Sequence, residues 1–154
     1  MSPSCAEIRV WTLTASPWID RLIFALDTNS IAYFFRGEGS VGERLLAKRP
    51  REIMVPALVA YELRYGVARL ENPARRSAQL ESFLSATTIL PFDDDCARVA
   101  GLVRAKLEQA GESIGPIDVL IAATALAANA VLVTRNVREF RRVEGLVVEN
   151  WYDP

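Results

Sequence analysis

Several carboxylates in this chain border or interrupt apolar runs. Asp27 closes RLIFALD, Glu62 sits inside ALVAYELRYGVARL, Asp118 opens the apolar stretch of IGPIDVLIAATA, and Glu139 lies in NVREF, shortly after AVLVT. Each has an ordinary explanation. Asp27 would cap a helix beginning near Ser30, although Asn29 or Ser30 could do the same. Asp118 would cap a helix or serve as a first-turn acid, with Pro116 as an early helix residue. Glu62 would face water at a rim or pair with an arginine, and Glu139 would be solvated among Arg138, Arg141 and Arg142. As a set they suggest more. Three or four carboxylates at one end of a sheet repel one another, and a divalent cation relieves that repulsion. Oxygen-only ligands select hard ions such as Mg²⁺ or Mn²⁺ over zinc. The chemistry of such a site is in-line displacement at phosphorus by a metal-activated water.

The chain has no histidine. That excludes Ser–His–Asp and Cys–His catalysis, imidazole acid–base chemistry and the common zinc sites. Carboxylates are the tools that remain. By contrast, Asp93, Asp94 and Asp95 read as the cap and acidic first turn of the helix that follows them.

The elements that must position these acids alternate in type. Short apolar runs predict strands at 21–27, 52–55, 88–91, 130–134 and 146–149. Helical spacing predicts helices at 29–35, 41–48, 57–70, 73–85, 93–110, 116–129 and 136–142. Alternation of this kind argues for an α/β domain with a mainly parallel central sheet covered on both faces. Ligands of such sheets bind at the carboxyl ends of strands. Asp27-Thr28-Asn29 and Thr134-Arg135-Asn136 both follow predicted strands, and Asp118 opens the helix leading into the second of them. The segment IRVWTLT fits an extra strand or an upstream start of translation, and residues 1–20 are left unassigned.

Composition narrows the classes further. The 154 residues suit one domain, and a hydrophobic fraction of 51% supplies a core. A net charge of −1 argues against a broadly basic nucleic-acid binder while allowing a local patch. Of the 18 basic residues 16 are Arg, the better residue for bidentate phosphate contacts. Cys5 and Cys96 form no metal-binding spacing, and a reduced, cytoplasmic setting is expected. The N-terminus has Glu7 and Arg9 and no apolar core, so no signal peptide is expected. The longest apolar run, 119–133, is shorter than the roughly 20 residues of a membrane span. No GxxxxGK[ST] is present, which excludes a P-loop enzyme. A HAD-type phosphatase needs Asp where Asn29 stands, and a receiver domain needs a late lysine, whereas the only lysines are Lys48 and Lys106.

The stretches ALDTNSIAYFF, ALVAYELRYGV, SIGPIDVLIAATALAANAVLVTRNVREF and GLVVENW, in that order, closely resemble the VapC toxins, the PIN-domain ribonucleases of toxin–antitoxin pairs. The resemblance covers about 22–152, and it implies a PIN domain over 21–154 preceded by an N-terminal extension. It implies a three-layer α/β sandwich and an Mg²⁺- or Mn²⁺-dependent endoribonuclease. Carried over by motif, Asp27 and Asp118 would be direct metal ligands, Glu62 the third acid and Glu139 the fourth, where the family more often has Asp. Asn29 and Thr134 match polar residues lining the pocket, and Asn136 stands where many relatives have Asp. Arg135, Arg138, Arg141 and Arg142 would lie near the rim, as phosphate contacts or as a solvated basic face. The resemblance further implies a homodimer and a VapB-type antitoxin whose C-terminal segment lies over the acids, forming a larger hetero-oligomer. The rival from another class is a non-catalytic PIN-like module that binds RNA or antitoxin without cutting.

Overall fold

The computed structural model describes residues 22–154. The segment IRVWTLT therefore lies outside the described residues, as does Cys5. Five strands form the sheet: β1 (Phe24–Leu26), β2 (Ile53–Pro56), β3 (Thr88–Leu90), β4 (Val131–Val133) and β5 (Val148–Glu149). Seven helices connect and cover them: α1 (Thr28–Arg36), α2 (Val41–Leu46), α3 (Ala57–Ala68), α4 (Ala74–Ser85), α5 (Asp94–Gln109), α6 (Pro116–Ala127) and the single turn α7 (Val137–Phe140). A 3₁₀ turn, Pro50–Glu52, leads into β2.

The strand order is β3-β2-β1-β4-β5, and every pairing is parallel. Every residue of β1, β2 and β4 is buried, so both faces of the central strands are covered. This is why they read as continuous apolar runs rather than as alternating ones. The edge strands β3 and β5 are less buried. The expected α/β sandwich is the fold, with a sheet that is wholly parallel.

Helix α6 explains the apolar stretch after Asp118. Val119, Ile121, Ala122, Ala123, Thr124 and Ala125 are buried, and the alanines let α5 pack closely along it. The one polar side chain in that set is satisfied locally, because Thr124 Oγ1 donates to the Leu120 carbonyl at 2.8 Å. The chain leaves α6 through Asn129 in the left-handed region, φ 52°, and enters β4. Beyond β5, Trp151 is buried against Phe24, with ring centroids 5.1 Å apart, and fastens the C-terminal segment to the core.

Candidate active site

The chain winds from β1 to β2 and β3 on one side of the sheet, then returns to place β4 on the other side of β1. The connections therefore diverge from the carboxyl ends of β1 and β4, which opens a crevice at that point. Asp27 directly follows β1, and Thr134 directly follows β4. The register pairs Leu26 with Val133, so these two polar residues come side by side. The Asp27 N–H donates to the Val133 carbonyl at 2.9 Å, continuing the ladder by one bond.

Asp27 is only 5% exposed and both of its carboxylate oxygens are engaged. Thr28 N–H donates to Oδ1 at 2.8 Å and Thr134 Oγ1 donates to Oδ2 at 2.7 Å. Helix α1 begins at Thr28, so Asp27 is its N-cap. The reading that gave Asn29 or Ser30 an equal claim to that role is corrected: the helix starts earlier, and the aspartate both caps it and faces the crevice. Asn29 instead bridges. Its Nδ2 donates to Thr134 Oγ1 at 3.4 Å, and its Oδ1 accepts from Arg135 N–H at 3.2 Å. Asn136 N–H donates to Thr134 Oγ1 at 3.0 Å, and Asn136 is the N-cap position of α7 without a side-chain cap bond. Ser30 Oγ donates to the Val133 carbonyl at 3.0 Å.

Two further elements deliver the other acids. Glu62, on α3, accepts a hydrogen bond at Oε2 from Thr28 Oγ1. Thr28 therefore joins two acids far apart in sequence, and its only signal was a hydroxyl directly after the strand-ending acid. In sequence the run around Glu62 reads as a helix apolar on much of its circumference, and the structure corrects that reading. Tyr61 and Tyr65 beside it are each 56% exposed, and only Val59 and Ala60 of α3 are buried. Glu62 is half-buried and partnered. Asp118 lies in the first turn of α6, whose N-cap is Gly115. A Cβ on Gly115 would stand 3.1 Å from Asp118 Oδ2, so glycine leaves room for that carboxylate. Glu139 is half-buried on α7.

The four acids share one electrostatic field. The Asp118 carboxyl is pushed up to about 6, first by burial and then by the negative charges of Asp27, Glu139 and Glu62. Burial pushes Asp27 up as well, against the lowering effect of its bonds from Thr134 and Thr28, and Glu62 adds repulsion. Burial and like charge both disfavour the ionised forms. Among the described residues, no three acidic side chains already stand in ligand geometry.

The four rim arginines separate into different situations. Arg142 Nη1 donates to the Ser113 carbonyl at 3.2 Å, tying α7 to the loop before α6. Arg138 and Arg141 are exposed. Arg135 turns its side chain toward Tyr33 and Tyr152.

A family model described as PIN domain matches residues 24–146. The chain belongs to the PIN-domain family. Within that family it groups with the VapC ribonucleases. It is 38% identical to ribonuclease VapC2 of Rickettsia felis over 133 residues, covering 84% of this chain and 98% of that one. It is 35% identical to the tRNA(fMet)-specific endonuclease VapC of Shigella flexneri, with the same coverage. Among solved structures, VapBC2 from Rickettsia felis, bound to a promoter DNA fragment, superimposes with a TM-score of 0.77 over 84% of this chain and 99% of that one. DNA-bound VapBC from Salmonella typhimurium gives 0.79 at 33% identity, over 85% and 99%. The VapC resemblance and the PIN-like sandwich inferred from the motifs are thus borne out. Among the described residues, no helix of this VapC-family chain is long and apolar enough to cross a membrane.

Proposed function

We propose that this PIN domain is an Mg²⁺- or Mn²⁺-dependent endoribonuclease and the toxin of a type II toxin–antitoxin pair. The observation that carries the reading is the gathering of Asp27, Glu62, Asp118 and Glu139 at the β1/β4 crevice, where burial first and the other three charges second push the Asp118 carboxyl up to about 6. The donor set fits a hard divalent cation, being all carboxylate in a chain with no histidine. Asp27 and Asp118 would hold it, with Glu62 as the third acid and Glu139 as the fourth. Since no three acids are preassembled, binding would draw them together. A bound cation would supply Lewis acidity and a water activated for attack on phosphorus.

The chain's own residues set the stage for that chemistry. Thr28 and Thr134 fix both oxygens of Asp27 through hydrogen bonds, so the carboxylate has one orientation. Thr28 holds Glu62 on the same side. Asn29 and Asn136, linked through the hydroxyl of Thr134, form a polar rim on which the RNA backbone would rest. Thr134 itself is fully buried, so its role is to join them to Asp27 rather than to touch RNA. A VapB-type antitoxin is the expected partner, since the structural neighbours are VapBC complexes. An antitoxin arginine reaching the acids would neutralise them. A toxin homodimer, assembled with antitoxin into a larger complex, and a cytoplasmic location complete the reading.

The test is cleavage of total RNA and of transfer RNA by the purified chain with Mg²⁺ or Mn²⁺, with an EDTA control and mapped ends. Transfer RNA is included because the Shigella relative's name specifies it. Asp27→Asn should lose more than about 100-fold in cleavage, beyond the roughly 10–100-fold typical of residues that only support a metal ligand. It should still fold, because Asn caps a helix as well as Asp does. Equal cleavage by the variant would show the site misassigned. RNA binding by wild type without any cleavage would favour a non-catalytic module.

A further inference from the structure

We infer that Arg135, whose backbone borders the acidic crevice and whose guanidinium is held against Tyr33 and Tyr152, is a phosphate-binding subsite that positions single-stranded RNA leading away from the scissile bond. The inference rests on the ribonuclease reading for its role in the reaction, and on separate observations for the subsite itself.

The backbone of Arg135 is fixed by its N–H bond to Asn29 Oδ1, 3.2 Å, one residue beyond the threonine that bonds Asp27. Its guanidinium carbon lies 3.8 Å from the Tyr152 ring centroid and 5.5 Å from that of Tyr33. Nη1 donates to the Tyr33 hydroxyl at 3.1 Å. The two rings brace each other, with centroids 4.5 Å apart and planes at 59°. Tyr33 comes from α1, the helix that Asp27 caps. Tyr152 comes from the last residues of the chain and is strapped in place. Its carbonyl accepts from Ser40 N–H at 3.0 Å, and its N–H donates to Asn150 Oδ1 at 2.9 Å. Gly39, at φ +63°, makes this approach possible, because a Cβ there would fall 2.6 Å from the Tyr152 carbonyl oxygen. Trp151, buried next to it, donates from Nε1 to Glu149 Oε2 at 2.7 Å. The platform is built by three separated parts of the chain rather than by one loop.

Charge points to the ligand. Arg36, Arg64, Arg98 and Arg104 each pair with a carboxylate. Among the described residues Arg135, like Arg138, Arg141 and Arg142 on the same rim, has no carboxylate within ion-pair distance, and it alone of these four is braced on aromatic rings. Asp153 and Glu38 act on it from farther away. A guanidinium stacked on an aromatic ring keeps its edge N–H groups free to fork onto a phosphate. Arginine braced on aromatic rings is also how proteins hold unstacked RNA, and the two half-buried tyrosines keep the exposed Arg135 in place for that role.

The experiment measures binding of a fluorescein-labelled single-stranded RNA oligonucleotide to the full chain by anisotropy, in EDTA so that cleavage does not intervene. Arg135→Ala should weaken Kd about tenfold, the value of one charge-assisted contact. It should flatten the dependence of log K on log salt by about 0.7, as for one phosphate released from a single strand. Arg135→Lys should fall between, keeping charge but losing the fork. Tyr152→Leu should weaken binding while Tyr152→Phe retains it, because the ring face does the holding. Arg98→Ala removes an equal charge from α5 and should have little effect. The inference is overturned if Arg135→Ala binds as wild type does, or if Arg98→Ala matches its loss. It is also overturned if Arg135→Ala spares RNA but weakens binding of a poly-glutamate peptide, which would make the platform a protein-docking site. If wild type cuts no RNA with Mg²⁺ or Mn²⁺ yet binds it through Arg135, the catalytic reading fails and the subsite stands. If wild type binds no RNA, both fail.

Discussion

Two acidic groups in this molecule, both at helix beginnings, have opposite electrostatics. At the start of α5, Asp93 Oδ1 accepts from the Cys96 N–H at 3.0 Å, and that bond holds the Asp93 carboxyl below its ordinary range. Arg98 pairs with both Asp94 and Asp95. Every charge there has a local answer. At the β1/β4 crevice, Asp27 and Asp118 are pushed upward by burial and by one another's neighbours. Among the described residues, no ion pair to Asp27, Glu62, Asp118 or Glu139 is formed. Density of acid therefore does not distinguish a working site from a helix start. Both groups receive hydrogen-bond donors, so what distinguishes them is whether the fold also supplies a cation and access to water, or buries the charges and leaves them to something that arrives later.

The widest separation between the two groups is expected in activity and in metal response. Asp27→Asn should abolish cleavage, whereas changes at Asp93 should leave it intact. Asp118→Asn should give the largest effect on stability. In the folded chain Asp118 titrates near 6, against an ordinary value of 3.8. Between those values the folded state keeps a proton that the unfolded state has released, so stability falls as pH rises through that window. Asn cannot ionise, so in EDTA the variant should melt above wild type at pH 7, and the two curves should converge toward pH 4. The gain is about 1–2 kcal/mol after allowing for solvent screening at a half-buried group, a few °C in Tm. Adding Mg²⁺ at pH 7 should raise the Tm of wild type more than that of the variant. A variant less stable than wild type at pH 7 would mean that the Asp118 carboxylate is structurally satisfied, and the contrast would collapse. Differential scanning fluorimetry across pH reads all of this.

The helices and strands were largely legible because punctuation and apolar spacing mark them. Pro56, Pro73, Gly111 and Pro116 stand at or near element ends, and helices α3 to α6 fall within a few residues of their expected limits. The parallel sheet followed from alternation, but its order did not, because no local pattern says that β4 returns to the far side of β1. Asp27 and Asp118 were visible as charges bordering apolar runs. Glu62 was found for a partly mistaken reason, since α3 is exposed around Tyr61 and Tyr65. The bonds that make the site were not legible. Thr28 to Glu62 and Thr134 to Asp27 join distant parts of the chain, and a threonine in sequence does not announce which carboxylate it will meet. Tyr33 and Tyr152 were likewise indistinguishable from ordinary half-buried aromatics until the fold stacked them.

Removing the cap at the other acidic group should act in the opposite sense. Asp93→Ala deprives the Cys96 N–H of its acceptor and should cost about 1 kcal/mol, whereas Asp93→Asn should keep most of the stability because Asn also caps. The lowered carboxyl of Asp93 means that its contribution is present above its ordinary pKa and lost as pH falls through the folded value. The difference between wild type and Asp93→Ala should therefore shrink at low pH, whereas the penalty at Asp118 disappears there. Cleavage by Asp93→Ala should match wild type below its melting temperature. A loss of activity without unfolding would show that α5 reports to the crevice.

The smallest effect belongs to Arg98→Ala, and it tests the comparison most directly. Arg98 is 68% exposed at its side chain, and the Asp94 and Asp95 side chains are 78% and 53% exposed. Such pairs contribute about 0.3–0.5 kcal/mol, and salt screens them. The variant should lose a few tenths of a kcal/mol at low ionic strength and nothing measurable at high salt. Removing Arg98 leaves Asp94 and Asp95 bare, yet the helix N-terminus still favours them and water still reaches them. They should therefore gain no Mg²⁺-dependent stabilisation over wild type in the melting assay. If they do gain it, unpaired acids at any helix start would suffice to recruit the cation. The crevice would then owe its character to missing partners alone, with no contribution from burial or from the crowding of four carboxylates.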